Sequence, residues 1–230
     1  MKQTILLVIL FISLKGFSQK IETYYDYTWK PCDPLMARYY SMSQKTDSGW
    51  LRNDYYVATG KLQMQALFED SACNIYNGKL VFFHPNGKLS KKGYMIHNKK
   101  EGICISYYAN GTMADSADYH NDEPKGCFFQ WHSNGFISDS TAHINDSMDV
   151  HVSWFDNGQP ASAGFLLHGN HYGKWQYFHN NGNIASQETF DRKGNLLLKN
   201  ILMKPVHYWL IQQKIVRQNL RAAWMGGAVI

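Results

Sequence analysis

The sequence of 230 residues lacks the short motifs that mark common catalytic and nucleotide-binding sites. It contains no Gly-x-Ser-x-Gly, no phosphate-binding loop and no Gly-x-Gly-x-x-Gly. Acidic pairs such as Asp122-Glu123 fall in loop-like segments, where a solvated turn is the usual interpretation. We therefore predict no catalytic residues, no cofactor and no enzymatic activity.

Cysteine is scarce, with four residues and no Cys-x-x-Cys spacing, which argues against a zinc site. In an exported chain a bridge could join Cys32 and Cys73, with free buried thiols as the alternative. Cys104 and Cys127 stand two and one residues after their repeat glycines. Neighbouring positions of a strand point to opposite faces, so these two should not meet.

No apolar run is long enough to span a bilayer comfortably, and the longest one lies at the N-terminus. Lys2 precedes the apolar residues 5–14, and the small residues Gly16 and Ser18 follow them. This pattern predicts a signal peptide over residues 1–18, cleaved after Ser18, with an uncleaved anchor as the alternative. No cysteine follows the apolar core, which argues against a lipoprotein. We expect an exported protein of the periplasm or cell surface.

What the sequence does contain is one pattern repeated five times between residues 78 and 194. Each copy places a short aromatic run before Asn-Gly and a second apolar run after it. The glycines recur at steps of 24, 24, 23 and 24 residues and are Gly87, Gly111, Gly135, Gly158 and Gly182. A fixed period in this range indicates a repeat array. Asn-Gly is a hairpin signal, because both residues tolerate the positive φ of a type I′ turn.

A second column holds an aromatic residue in every copy, four residues before the glycine. Its members are Phe83, Tyr107, Trp131, Trp154 and Phe178. We expect these rings to stack on one another and to stabilise the sheet by roughly 0.2–1 kcal/mol per pair. Together these patterns predict an all-β, elongated antiparallel β-hairpin array in a single twisted sheet, with a short C-terminal helix as an option.

Histidines recur in a third column, at His84, His132 and His179, with Tyr108 and Phe155 between them. Histidines from alternate units should lie roughly 20 Å apart, because each unit adds two strands about 4.8 Å apart. Metal ligands share an ion at about 2 Å, so we predict a half-exposed ladder and no metal site.

The pattern of residues 173–184, Gly-x-Trp-x-Tyr-Phe-x-x-Asn-Gly-x-Ile, resembles the MORN-repeat variant of bacterial proteins, the type in YwqK-like antitoxin components. The resemblance covers about half of the chain. It departs at Asp149, which replaces a leading glycine, at Pro160 in an apolar position, and at Cys104 and Phe128 where Trp175 stands in the last copy. The resemblance implies a repeat that binds proteins, and in antitoxins a toxin.

We divide the chain into a signal peptide (1–18), an irregular β head with a degenerate repeat (19–75), five repeats (76–194) and a basic tail (195–230). The head should cap the array, since terminal repeats must close an open apolar end. Its Trp-Lys-Pro-Cys segment, residues 29–32, resembles exported proteins in which such repeats precede a TonB-type C-terminal domain.

After Asp191 the chain has seven basic residues, five of them in the tail, and no acidic residue. Three interpretations stay open: a basic segment that meets anionic lipid or nucleic acid, a helix over residues 207–224 packed on the last hairpin, and a truncated or out-of-frame remnant.

The function expected from the sequence is a non-enzymatic, exported scaffold that binds an unknown protein partner in the cell envelope. The alternatives are a toxin-neutralising antitoxin and a truncated TonB-type energy transducer. No nucleic-acid partner is expected, and membrane association through the tail is the least favoured option.

Overall fold

A computed structural model describes residues 20–201, which form one open sheet of fifteen strands. The strands are numbered in chain order. They are β1 Lys20–Tyr25, β2 Tyr39–Thr46, β3 Gly49–Tyr56, β4 Leu62–Phe68, β5 Tyr76–Phe83, β6 Leu89–Ile96, β7 Lys99–Tyr107, β8 Met113–His120, β9 Glu123–Trp131, β10 Ile137–Asn145, β11 Met148–Trp154, β12 Pro160–Leu167, β13 Asn170–Phe178, β14 Ile184–Phe190 and β15 Leu196–Ile201.

The strand order in the sheet is the order in the chain, and every neighbouring pair is antiparallel. The described residues contain no helix besides one short 3-10 turn, Pro34–Met36. The all-β hairpin array predicted from the sequence is therefore confirmed. The predicted head supplies β1 to β4 and continues into the repeats without a break in the sheet.

The Asn-Gly turns all lie at the same end of the strands, but they are not the predicted type I′ turns. In the first copy the amide of Gly87 donates to the carbonyl of His84 (2.8 Å), and the amide of His84 donates to that of Lys88 (2.8 Å). Only the glycine has positive φ, at 89°, while Asn86 does not. This is a type I turn followed by a glycine bulge, and the other four copies repeat it. The prediction that asparagine serves the turn through positive φ is wrong.

Turns with two positive φ values lie at the opposite ends of the strands, where the sequence contains no Asn-Gly. His97 and Asn98 have φ of 47° and 67°, and Asn121 and Asp122 have 56° and 71°. Two consecutive left-handed residues are the signature of a two-residue type I′ hairpin. The turns at the two ends of the strands thus differ in type.

The leading glycine of a repeat marks an irregularity where one hairpin joins the next. Gly173 has φ of 66°, and the β12–β13 register shifts between Ala163 and Phe165. Asp149 holds the same position in the fourth copy and pairs with His143 beside a register shift, but the extra residue there, Ile144, lies in β10 and not in β11. The fourth copy therefore does without a glycine because its strand does not bulge there.

The most buried apolar cluster lies in the head, where β4 carries Met64, Ala66 and Phe68, each at most 3% exposed. Next to it the Arg52 Nε lies 2.8 Å from Asp54 Oδ1, and the carboxylate is buried. Burial raises the pKa of Asp54, and the guanidinium opposes that rise. Most other side chains are half-buried, as expected for a sheet one layer thick.

Three predictions fall on residues that the structure does not describe: the signal peptide (1–18), most of the basic tail and its helix (207–224). Between residues 20 and 201, no helix has the length and apolar character needed to cross a membrane.

Candidate interaction surface

One face of the repeat sheet carries a continuous strip of apolar side chains beside the Asn-Gly turns. In each hairpin the predicted aromatic residue pairs across strands with the first apolar residue after the turn, as Phe83 does with Leu89. We call these ten half-buried residues the aromatic strip: Phe83, Leu89, Tyr107, Met113, Trp131, Ile137, Trp154, Pro160, Phe178 and Ile184. The strip crosses β5 to β14, roughly 45 Å at about 4.8 Å per strand.

The rings of the strip do not stack on one another as predicted. Members of the column, such as Tyr107 and Trp131, are two strands apart, or about 10 Å, whereas aromatic pairs need centroids within about 7 Å. The ring contacts found between residues 20 and 201 include Phe129 with Trp131, but none joins two column members. Each ring instead packs on its own hairpin and leaves part of its surface open.

The backbone beneath the strip is joined from repeat to repeat by the residue that begins each turn. His84 Nε2 bonds the carbonyl of Tyr107 (2.8 Å), Tyr108 donates its hydroxyl to Trp131 (2.7 Å), and His132 bonds Trp154 (2.9 Å). In the head, Tyr56 makes the same bond to Phe83 (3.0 Å). The column of His84, Tyr108 and His132 is therefore a polar ladder that ties each hairpin to the next.

The ladder stops in the fourth copy, because Phe155 has no donor for the carbonyl of Phe178. His179, in the last copy, is exposed in its turn. Between residues 20 and 201, no group of three or more His, Cys, Asp or Glu side chains is arranged to hold a metal ion.

The turn asparagines form a second ladder on the same edge. Asn86 Nδ2 donates to the carbonyl of Ala109 (2.7 Å), and its Oδ1 accepts from the amide of Lys88 (2.9 Å). Asn110, Asn134 and Asn157 repeat both bonds. Asparagine thus closes its own turn and reaches the next one, which explains its recurrence better than positive φ does.

Exposed lysines flank the aromatic strip on the side away from the turns. Strand alternation places Lys79, Lys92, Lys125 and Lys174 on the strip face. Lys92 Nζ lies 6.0 Å from the centroid of the Tyr107 ring, which brings positive charge directly to the strip. The strip is thus an apolar surface with a margin that is basic on balance, in which the exposed Asp118 stands opposite Lys125.

The opposite face, which we call the polar face, has a different character in the same repeats. Its row next to the turns holds Ser106, Asp115, Gln130, Asp139, Ser153 and Ser162. Ser106 donates to Asp115 (3.1 Å), and Ser153 and Ser162 share a bond of 2.7 Å. Four of the six side chains in this row are thus paired with one another, so the strip face is the better candidate for binding an apolar partner surface.

The four cysteines are free thiols in the structure, so the Cys32–Cys73 bridge stays a prediction for the oxidised protein. Cys73 Sγ lies 3.6 Å from the hydroxyl oxygen of Ser43, and burial raises the pKa of this thiol. Cys104 pairs with Ala117, and Cys127 pairs with Ala142. They occupy separate positions in the sheet.

One cluster on the polar face escaped the sequence reasoning. The Trp175 ring is 2% exposed and lies flat on the backbone of Gly164, where a Cβ would overlap the indole. Its Nε1 donates to the carbonyl of Phe165 (2.9 Å), and His171 stacks on it at a centroid distance of 3.8 Å. A glycine inside an otherwise apolar strand was the available signal, since such a glycine often marks a close approach.

Comparisons with known proteins support the repeat and add little else. No curated protein matches this chain. Among solved structures, a crystal structure of TarM aligns with 14% identity over 44% of this chain and 19% of that chain, with a TM-score of 0.27, which is too low to indicate a shared fold. The family model described as the MORN repeat variant matches residues 76–97, 100–121 and 172–192. These segments span the β5–β6, β7–β8 and β13–β14 hairpins, so three hairpins of this sheet are recognised as MORN repeat variants.

Proposed function

We propose that this protein is a non-enzymatic, exported scaffold of the bacterial cell envelope that binds a partner protein through the aromatic strip. The observation that carries the proposal is the strip itself, an apolar surface roughly 45 Å long on an open sheet. Contiguous apolar surface of this kind is typical of interaction sites rather than of the free surface of a monomer. MORN repeats commonly mediate protein interactions, which is compatible with this role.

The basic margin suggests the chemistry of the partner surface. Lys79, Lys92, Lys125 and Lys174 are exposed and stand beside the strip. A partner with an apolar ridge and acidic flanks would match both features, and aromatic residues are enriched at the centres of such interfaces. Export rests on the N-terminal sequence pattern alone and places the partner in the envelope.

Site-specific photo-crosslinking in the source organism tests this proposal. A photoreactive residue at Tyr107 lies on the strip, and one at the neighbouring Ser106 points to the polar face. We expect one defined protein adduct from position 107 and none from position 106. Once the partner is purified, Tyr107→Ala should weaken its binding by about tenfold, as for a central interface aromatic. Equal labelling at both positions, or hydrolysis of glycans or peptides by the purified protein, would contradict the proposal.

A toxin-neutralising antitoxin is the second candidate, favoured by the MORN-variant repeats. A toxin gene should then lie next to this reading frame, and co-expression should rescue growth. Flotation with anionic liposomes, with and without residues 204–230, tests membrane association through the tail.

A further inference from the structure

Three histidines on the polar face have two kinds of surroundings. His143 Nδ1 lies 2.5 Å from Asp149 Oδ1, and His151 Nε2 lies 3.5 Å from Asp139 Oδ1. Each of these two imidazoles therefore stands beside a carboxylate. His171, on β13, stands in the same region of this face but is held by aromatic rings instead.

The contacts of His171 are mostly apolar. Its ring stacks on Trp175 at 3.8 Å with an interplanar angle of 22°, and it meets the edge of Phe190 at 4.9 Å. The one polar contact is between Nδ1 and the Tyr177 hydroxyl, at 3.4 Å. No carboxylate is hydrogen-bonded to His171 in the described part of the chain, so a positive charge there has no ready partner.

The charged groups around His171 confirm that it lacks compensation. From β11, His151 approaches the far part of the same indole at a centroid distance of 5.9 Å. From β14, Glu188 faces the cluster, but its Oε1 lies 2.7 Å from Lys199 Nζ of β15. The titratable groups of the surrounding strands are Asp139 and His143 on β10, Asp149 and His151 on β11, Tyr177 on β13, Glu188 on β14 and Lys199 on β15.

We propose that the stack of His171 on Trp175, both on β13, is pH-sensitive: at neutral pH the imidazole keeps the indole seated on Gly164 of β12, and protonation of His171 loosens this contact between the two strands. Protonation places a charge between Trp175 and Phe190 and opposite His151, while Glu188 stays engaged with Lys199. An imidazolium on an indole gains cation–π attraction, which opposes this effect. Desolvation of the charged imidazole and the neighbouring His151 outweigh the cation–π attraction, because the nearest carboxylate, Glu188, is already paired with Lys199. This inference does not depend on the proposed scaffold role.

The direction of the effect follows from linkage. Burial and the neighbouring His151 lower the pKa of His171 below its ordinary value, and Glu188 opposes them weakly. A group whose pKa is lower in the folded state binds its proton more readily when unfolded. Stability from this contact is thus complete above the ordinary imidazole pKa and is lost as pH falls through that value and below it.

An NMR titration of the full chain, labelled at histidine, tests the proposal without a variant. The His171 ring can be assigned by its contacts with Trp175, and we expect it to titrate below the ordinary value of an exposed imidazole, about 6.5. In parallel, the thermal midpoint should fall between pH 8 and pH 5.5. His171→Phe keeps a stacked ring without a proton and should reduce that fall, with His171→Gln as a second variant if His171→Phe fails to fold.

His179→Phe is the matched control, because His179 is exposed in a turn outside the cluster. It should retain the wild-type dependence of the midpoint on pH. Titration of His171 at or above the ordinary value overturns the proposal. So does an unchanged pH dependence in both His171 variants.

Discussion

A single residue at the start of each turn decides whether two neighbouring hairpins share a side-chain bond. Tyr108 and His132 provide that bond with different chemistry, a hydroxyl in one case and a ring N–H in the other. Phe155 carries a ring like that of Tyr108 and is half-buried like His132, but it has no donor. The position therefore tolerates several aromatic residues, because the ring alone provides the packing. The polar atom adds a hydrogen bond to the next hairpin, which stabilises the protein further.

Exchange of one hydroxyl at this position should move the free energy of unfolding in opposite directions at two sites. Phe155→Tyr should gain a bond to the carbonyl of Phe178 and stabilise the protein by about 0.5–1.5 kcal/mol. Tyr108→Phe removes the equivalent bond to Trp131 and should destabilise the protein by a similar amount. Urea denaturation of both variants measures these changes. Two changes of the same sign would show that the ladder does not act as described.

At the level of strands, β12 and β13 are joined by the contact of the Trp175 ring with the backbone of Gly164. Trp175 can lie against β12 only because residue 164 has no side chain. In the second repeat, Cys104 approaches Gly93 in the same way, but with a single sulfur atom. The same sheet position thus accepts an indole or a thiol, provided that the opposing strand offers a glycine.

Gly164→Ala should therefore destabilise the protein more than Gly93→Ala does. The first change forces a methyl group into a buried indole and should cost about 1–3 kcal/mol. The second meets a thiol that can rotate away, so its cost should be smaller. Trp175→Phe should recover part of the cost of Gly164→Ala in a double-mutant cycle measured by thermal denaturation. Additive losses in that cycle would show that the two residues do not interact.

The repeat period, the all-β class and the number of hairpins could be predicted because the Asn-Gly steps are nearly constant. The turn type could not, because Asn-Gly is compatible with both a type I′ turn and a type I turn with a glycine bulge. The asparagine bonds to the next turn, such as Asn86 to Ala109, depend on the neighbouring copy and leave no mark within one turn. The stacking prediction failed because it ignored the second strand of each hairpin.

The strip face could be predicted from the sequence, since the aromatic residue and the apolar residue after the turn recur in every copy. The His171–Trp175 cluster could not be predicted, because His171 and Trp175 meet a glycine such as Gly164 at one junction between copies only. A pattern shared by all copies cannot reveal a contact made at a single junction. The ion pair of Arg52 with Asp54 lies outside the repeats, so the repeat pattern does not predict it either.

Considered as a whole, the described sheet has two edge strands, β1 and β15, and these differ in how much buried apolar surface lies next to them. β15 is exposed along its entire length, with Leu197 65% exposed, and its one charged residue, Lys199, is paired with Glu188. The head, by contrast, has the buried cluster of Met64 and Phe68 close behind its edge. Stability should therefore fall from the head toward β15.

Hydrogen exchange followed by mass spectrometry can map this gradient along the chain. We expect the slowest exchange in β3 to β5 and the fastest in β14 and β15, because local opening needs less free energy where fewer apolar contacts must break. Trp175→Ala should accelerate exchange in β12 to β14 and leave β3 to β5 unchanged, as nearest-neighbour coupling requires. Uniform protection from β3 to β15 would contradict the gradient.

Because each strand bonds only to the strands before and after it in the chain, no contact in the array has to wait for distant sequence. A hairpin can close as soon as about two dozen residues are available, and each later one has a finished template on which to dock. Chain delivery from the N-terminus, through a ribosome or a membrane pore, therefore matches the order of assembly, and the head would serve as the seed from which the sheet grows.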